Sequence, residues 1–204
     1  DKRIIEEKKM ESFQGRIQYN KIPYVLEPET EGNICCAVFG ESIQKLFLPR
    51  VFENFERVII ASRMGAESEA LKEWGVNLEN YKLYCDAQGR LLRMEIYTGT
   101  IPDWLSEEDR KNFTAPLRRT LIEEGEQEGG EGISGRDSIR LFSEFFSRYG
   151  GGTNLINMDN ITDFFKHQVG REFRDKHLPK GFLGSLVDSY DYTVLNEVKE
   201  ALYF

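Results

Sequence analysis

Apolar residues recur along this chain at intervals of three and four, in runs that proline or glycine soon cuts short. That spacing lays an apolar stripe on one face of a helix, whereas a half-buried strand needs alternation with period two. Phe52, Phe55 and Ile59 keep the spacing within 50–64, a segment that Gly65 ends. Ile139, Phe142, Phe145, Phe146 and Tyr149 keep it after a start at Ser134 and Asp137, and the glycines at 150–152 end it. Ile161, Phe164, Phe165 and Val169 keep it after Asp159.

Capping residues and breaks place the other helices. Pro28 opens one that ends near Gly40, and Pro49 separates a short helix at 41–47 from the longer one. Gly75 stops a turn or two at 68–74, and Asn77 can cap the stretch that carries Tyr81, Tyr84 and Cys85. Ser106 with Asp109, and Thr114 with Pro116, mark two further starts. The break at 177–181 precedes a last segment, 182–204, with Leu183, Leu186, Val187, Leu195, Val198 and Leu202 and room for a kink near Asp191 and Tyr192. The expected fold is all-α, with at most one or two short strands. Residues 16–26 lean towards β structure, interrupted by Pro23, and 91–99 reads either way because Leu92, Met94 and Ile96 alternate. The stretch EEGEQEGGE at 123–131 has five Glu, three Gly and no basic residue, so it is expected as an exposed linker between 1–122 and 132–204.

The net charge of −8 disfavours nonspecific nucleic-acid binding, which needs a basic surface, and disfavours docking on an anionic membrane. No apolar run approaches the roughly 20 residues of a membrane span. The three cysteines, Cys35, Cys36 and Cys85, form no disulfide framework and read as reduced thiols of a cytoplasmic protein. A redox switch at Cys35 and Cys36 is the alternative use of that pair. With only His167 and His177 available, no metal site is expected.

Several catalytic motifs are missing. No G-x-x-x-x-G-K-[ST] loop occurs, and the glycines at 150–152 follow a helix and precede no lysine. GRD at 135–137 matches part of a kinase catalytic loop, but Phe142 stands where the metal-binding Asn belongs and no D-F-G follows. Residues 157–165 lack the acidic spacing of a calcium loop.

The string KKMESFQGRIQYNKIPYVL at 8–26 resembles the end of an AAA+ ATPase core, where an arginine is presented to the neighbouring subunit's nucleotide; FQGRI puts Arg16 in that place. A guanidinium there can stabilise charge on a transferring phosphoryl group. Together with WGVNLENYKLYCDAQGRLLRMEIYTGTIPDWLSEEDRKNF (74–113), GISGRDSIRLF (132–142) and YDYTVLNEVKEALYF (190–204), the chain resembles bacterial PrkA-type serine protein kinases over nearly its whole length.

The resemblance implies an internal fragment: the end of the core at 1–26, a helical lid-like region at 27–122, the acidic loop at 123–131, and a helical region at 132–204 that continues into the C-terminal part. ATP and magnesium would then be held mainly by residues upstream of Asp1, and the fragment alone would bind neither. Arg136, at the helix start, and Arg140, one turn on, are the candidate second-sensor arginines, with Arg136 preferred. The implied partners are a neighbouring AAA+ subunit and an unidentified protein substrate. The rival reading is a non-catalytic helical interaction module, which would expose clusters of Phe or Tyr.

Overall fold

A computed structural model describes residues 22–203, and among them the chain is all-α. The only ladder pairing there is an isolated parallel bridge between Phe47 and Ile156. In it the Leu48 N–H donates to the Ile156 carbonyl and the Ile156 N–H donates to the Leu46 carbonyl, each at 2.8 Å. Arg16 and most of the expected β-leaning segment lie outside the described residues.

Helix α1 (Pro28–Phe39) starts on the proline, whose missing N–H costs nothing in a first turn. A 3₁₀ segment (Glu41–Leu46) leads to α2 (Val51–Ala61). Helix α2 is the centre of the molecule: Val51, Phe55, Val58, Ile59, Ile60 and Ala61 are fully buried. It packs against α1, α4 (Arg90–Tyr97), α8 (Met158–Asp163) and α10 (Phe182–Tyr203). Between them lie α3 (Glu69–Trp74), α5 (Glu107–Asn112), α6 (Ala115–Gln127), α7 (Gly135–Tyr149) and α9 (Arg171–His177).

The local signals act as expected at most starts. The Ser68, Ser106 and Ser134 hydroxyls accept from the backbone N–H three residues on, each satisfying a helix donor that has no partner within its own helix. Helix α8 is capped by Asn157 in a reciprocal box with Asn160 and not by Asp159. Thr114 makes no side-chain cap bond.

Aromatic packing joins the two halves of the sequence. The Phe55 ring on α2 meets Phe142 and Phe145 of α7 at 5.2 and 5.1 Å between centroids, and Phe165 at 5.2 Å. Phe165 belongs to a π-helical stretch (Phe164–Gln168) that follows α8, and both Phe164 and Phe165 are buried. The ambiguous segment at 91–99 is helical as far as Tyr97, with Leu91, Leu92, Met94 and Ile96 buried all round α4.

Two expectations are corrected. The acidic stretch at 123–131 is not an exposed loop in its first half, since α6 runs to Gln127. Gly125 permits this by lying under Tyr97, where a Cβ would sit 2.9 Å from the ring. Glu124 is also engaged: its carboxylate accepts from the Ser68 hydroxyl at 2.6 Å and the Ala70 N–H at 2.8 Å, at the start of α3. The last segment runs as one helix through Asp191 and Tyr192, and Leu195, Val198 and Leu202 on it are exposed.

Candidate functional site

Arg63 follows α2 directly and is 4% exposed. Its guanidinium forms a fork with Glu31 of α1, at 2.7 and 2.9 Å. The same group donates to the Val25 carbonyl at 2.7 Å and the Ile133 carbonyl at 2.9 Å. It also lies 5.5 Å from the centroid of the Tyr24 ring. One side chain therefore ties together the entering segment, α1, the end of α2 and the residue before Ser134, the cap of α7. Arginine suits this task because its planar donors are fixed relative to one another.

The backbone repeats the connection. The Tyr24 N–H donates to the Gly129 carbonyl at 2.8 Å, and the Gly129 N–H to the Arg63 carbonyl at 3.2 Å. The Ser62 hydroxyl accepts from the Ile133 N–H at 3.0 Å. Gly132, at φ 96°, lies so close that a Cβ would stand 2.4 Å from the Ser62 carbonyl oxygen.

A second buried arginine sits beside the first. Arg93 of α4 is fully buried, pairs with Glu128 at 2.6 Å and donates to the Gly65 carbonyl at 2.6 Å. Glu128 also accepts from the Gly65 N–H at 2.9 Å and the Tyr97 hydroxyl at 3.1 Å. The acidic stretch thus supplies the counter-charge for a core arginine.

The junction holds one carboxyl too many. Glu56 on α2 is 1% exposed, and its Oε1 has no hydrogen-bond partner among the described residues. Burial, reinforced by the neighbouring Glu31, pushes its carboxyl well above the usual range, and Arg63 only partly offsets this. Glu56 is accordingly held as the neutral acid more readily than an ordinary glutamate.

The expected sensor arginines both lie on the exposed side of α7. Arg136 is in its first turn and makes no ion pair among the described residues. Arg140 is held by Glu144 at 2.8 Å and Asp137 at 3.4 Å. A hydrogen bond from Ser134, aided by Arg140, holds the Asp137 carboxyl below its ordinary value. The third candidate, Arg16, is outside the described residues.

The cysteines do not make a switch. Cys35, Cys36 and Cys85 are all buried and unpaired with one another. Burial raises the Cys35 and Cys36 thiols and pushes Cys85 up to about 12. Thiolate is the reactive form, so burial works against reaction at all three. No cluster that could hold a metal occurs among the described residues. No helix there is long and apolar enough to cross a membrane.

Helical periodicity marks apolar stripes and so gives no sign of Arg63, Glu31, Glu56, Arg93 and Glu128 as a group. A signal was present for two of them. Glu56 and Arg63 lie seven apart, so they share a helical face with the core positions Phe52 and Ile59.

No curated protein and no solved structure matches the chain. The family model for the PrkA serine protein kinase C-terminal domain matches residues 91–204, which is more than half of it. The match takes in Arg93, Glu128, Ile133 and all of α7. Over residues 91–204 this chain belongs to the PrkA serine protein kinase C-terminal domain family.

Proposed function

We propose that the chain is the lid and C-terminal regulatory segment of a PrkA-type AAA+ ATPase and serine protein kinase, and that it couples nucleotide state to movement of the helical region. The observation that carries this reading is the Arg63 junction. It joins residues 24–25, which follow the proposed arginine-finger element at Arg16, to residue 133, which precedes the proposed sensor helix α7. A displacement of the entering segment would be passed to α7 through short, buried hydrogen bonds. The phenylalanines of α7 would carry it on into α2 and the π-helical stretch.

ATP and magnesium would be bound mainly by a core preceding this chain, because the sequence has no phosphate-cradling loop. What the chain offers a nucleotide is Arg136, exposed beside the N-terminus of a 15-residue helix, where N–H groups favour anions. Arg136 is a better candidate than Arg140, which would first have to leave two carboxylates. Arg16 would act across the interface with a neighbouring subunit.

The test is ATP binding and turnover by this chain beside a protein extended upstream through the proposed core. Turnover by the extended protein alone supports the reading. Turnover by this chain alone, or by neither, refutes it.

The second reading, a helical interaction module, has one observation in its favour: Leu195, Val198 and Leu202 are 48, 50 and 77% exposed on α10. Of the aromatic residues that this reading would expose, Tyr24 and Tyr203 are exposed, at 36 and 80%, and no phenylalanine of the described residues is.

A further inference from the structure

Arg63 carries five N–H groups, and four of them are used at the junction. Nε donates to Ile133, Nη1 to Val25 and Glu31, and Nη2 to Glu31. The second N–H of Nη2 has no acceptor among the described residues. One cation thus holds two backbone carbonyls and one carboxylate, with a single donor to spare.

Glu56 brings a second carboxyl to the same place. It lies two helical turns before Arg63 and is covered by α1, where a Cβ on Gly32 would stand 3.8 Å from the Glu56 Cγ. Its Oε1 is buried and makes no hydrogen bond among the described residues, although Arg63 has a donor unused. A carboxylate so placed would take that donor, whereas a neutral acid has less to gain from it.

The groups that face Glu56 are Glu31, Cys35 and Cys36 on α1, and Arg63 after α2. Helices α4, α8 and α10 also pack on α2, and none of their charged groups among the described residues bears on Glu56. Only Arg63 favours a negative charge there. Glu31 opposes one, and burial keeps the two thiols neutral. An ionised Glu56 must therefore draw on the guanidinium that Glu31 already holds. The donors of a guanidinium are fixed relative to one another, so Arg63 cannot turn towards Glu56 and keep all of its present acceptors.

We propose that Glu56 is a proton latch for the junction. Protonated, it leaves Arg63 on Val25 and Ile133. Ionised, it competes for Arg63, frees the residue before the Ser134 cap and lets the start of α7 open, the proton passing to solvent. The open form is the one that has lost the proton, so a fall in pH closes the latch and a rise opens it. The latch does not depend on the nucleotide reading: the presence or absence of ATP turnover leaves it standing, and its failure leaves that reading standing.

The test is amide hydrogen exchange of the whole chain between pH 5 and pH 9, corrected for the intrinsic rate at each pH. Protection at 133–138 is expected to fall as pH rises, by at most about tenfold per pH unit, the limit for release of one proton. Glu56→Gln keeps the shape of the neutral acid and is expected to leave 133–138 protected across the range. Carbon-13 NMR of the Glu56 carboxyl in the unaltered chain gives a second reading, and its titration is expected to coincide with the loss of protection. Constant protection in the unaltered chain, an equal loss in Glu56→Gln, or a carboxyl that titrates near the ordinary 4.5 overturns the proposal. Exchange at 133–138 no faster than at 58–60 in the centre of α2 would mean that only the whole fold opens, and overturns it as well.

Discussion

Arg63 and Glu31 face each other through two hydrogen bonds, 2.7 and 2.9 Å, with neither side chain more than 4% exposed. Removing one member strands the other charge in the interior. Glu31→Gln and Arg63→Met are each expected to lower the unfolding free energy by about 3–5 kcal/mol, measured by urea denaturation. The double variant Glu31→Gln/Arg63→Met is expected to lose less than the sum of the single changes. Additive losses would show that the pair is not coupled.

Glu56 gives stability a pH dependence. Its folded carboxyl is raised above the ordinary 4.5, so the folded chain holds a proton that the unfolded chain releases. This contribution to stability is full below the unfolded value and is lost as pH rises from there through the folded one. The groups that face it are Glu31, Arg63 and the Cys35 and Cys36 thiols. Glu56→Gln mimics the protonated form and is expected to raise the urea midpoint at pH 8 more than at pH 5. A gain that is the same at both pH values would contradict the assignment.

Gly132 has no room for a side chain. Gly132→Ala would both strain a residue at φ 96° and push against the Ser62 carbonyl. A loss of about 2 kcal/mol or more is expected, read from the thermal midpoint. Because Gly132 adjoins the connection to α7, amide exchange at 133–138 should speed up with it. Unchanged exchange there would mean that the close approach does not hold α7.

Arg136 and Arg140 separate function from stability. Both are on the surface, so alanine at either is expected to change stability by about 0.5 kcal/mol or less. In the upstream-extended protein, Arg136→Ala is expected to weaken the response to nucleotide, while Arg140→Ala has the smaller effect. Arg16→Ala is expected to lower ATP turnover with ATP binding largely kept. A larger effect at Arg140 would transfer the sensor role to it.

The all-α class and most of the helices were legible in the sequence because their causes are local. A cap such as Ser134 acts on the N–H three residues away, and the stripe of Phe142 and Phe145 follows from helical pitch alone. The acidic stretch misled for the opposite reason. Its composition reads as solvated loop, but Glu128 is partnered with Arg93, 35 residues earlier. Arg63 meets Glu31 across 32 residues and Ile133 across 70, distances at which no periodicity speaks. The sequence by itself determined most helix starts and the apolar faces of α2 and α7, because caps and helical pitch act locally. Tertiary structure alone decided which charges are buried and paired, because the cost of an interior charge depends on the neighbours that folding brings to it.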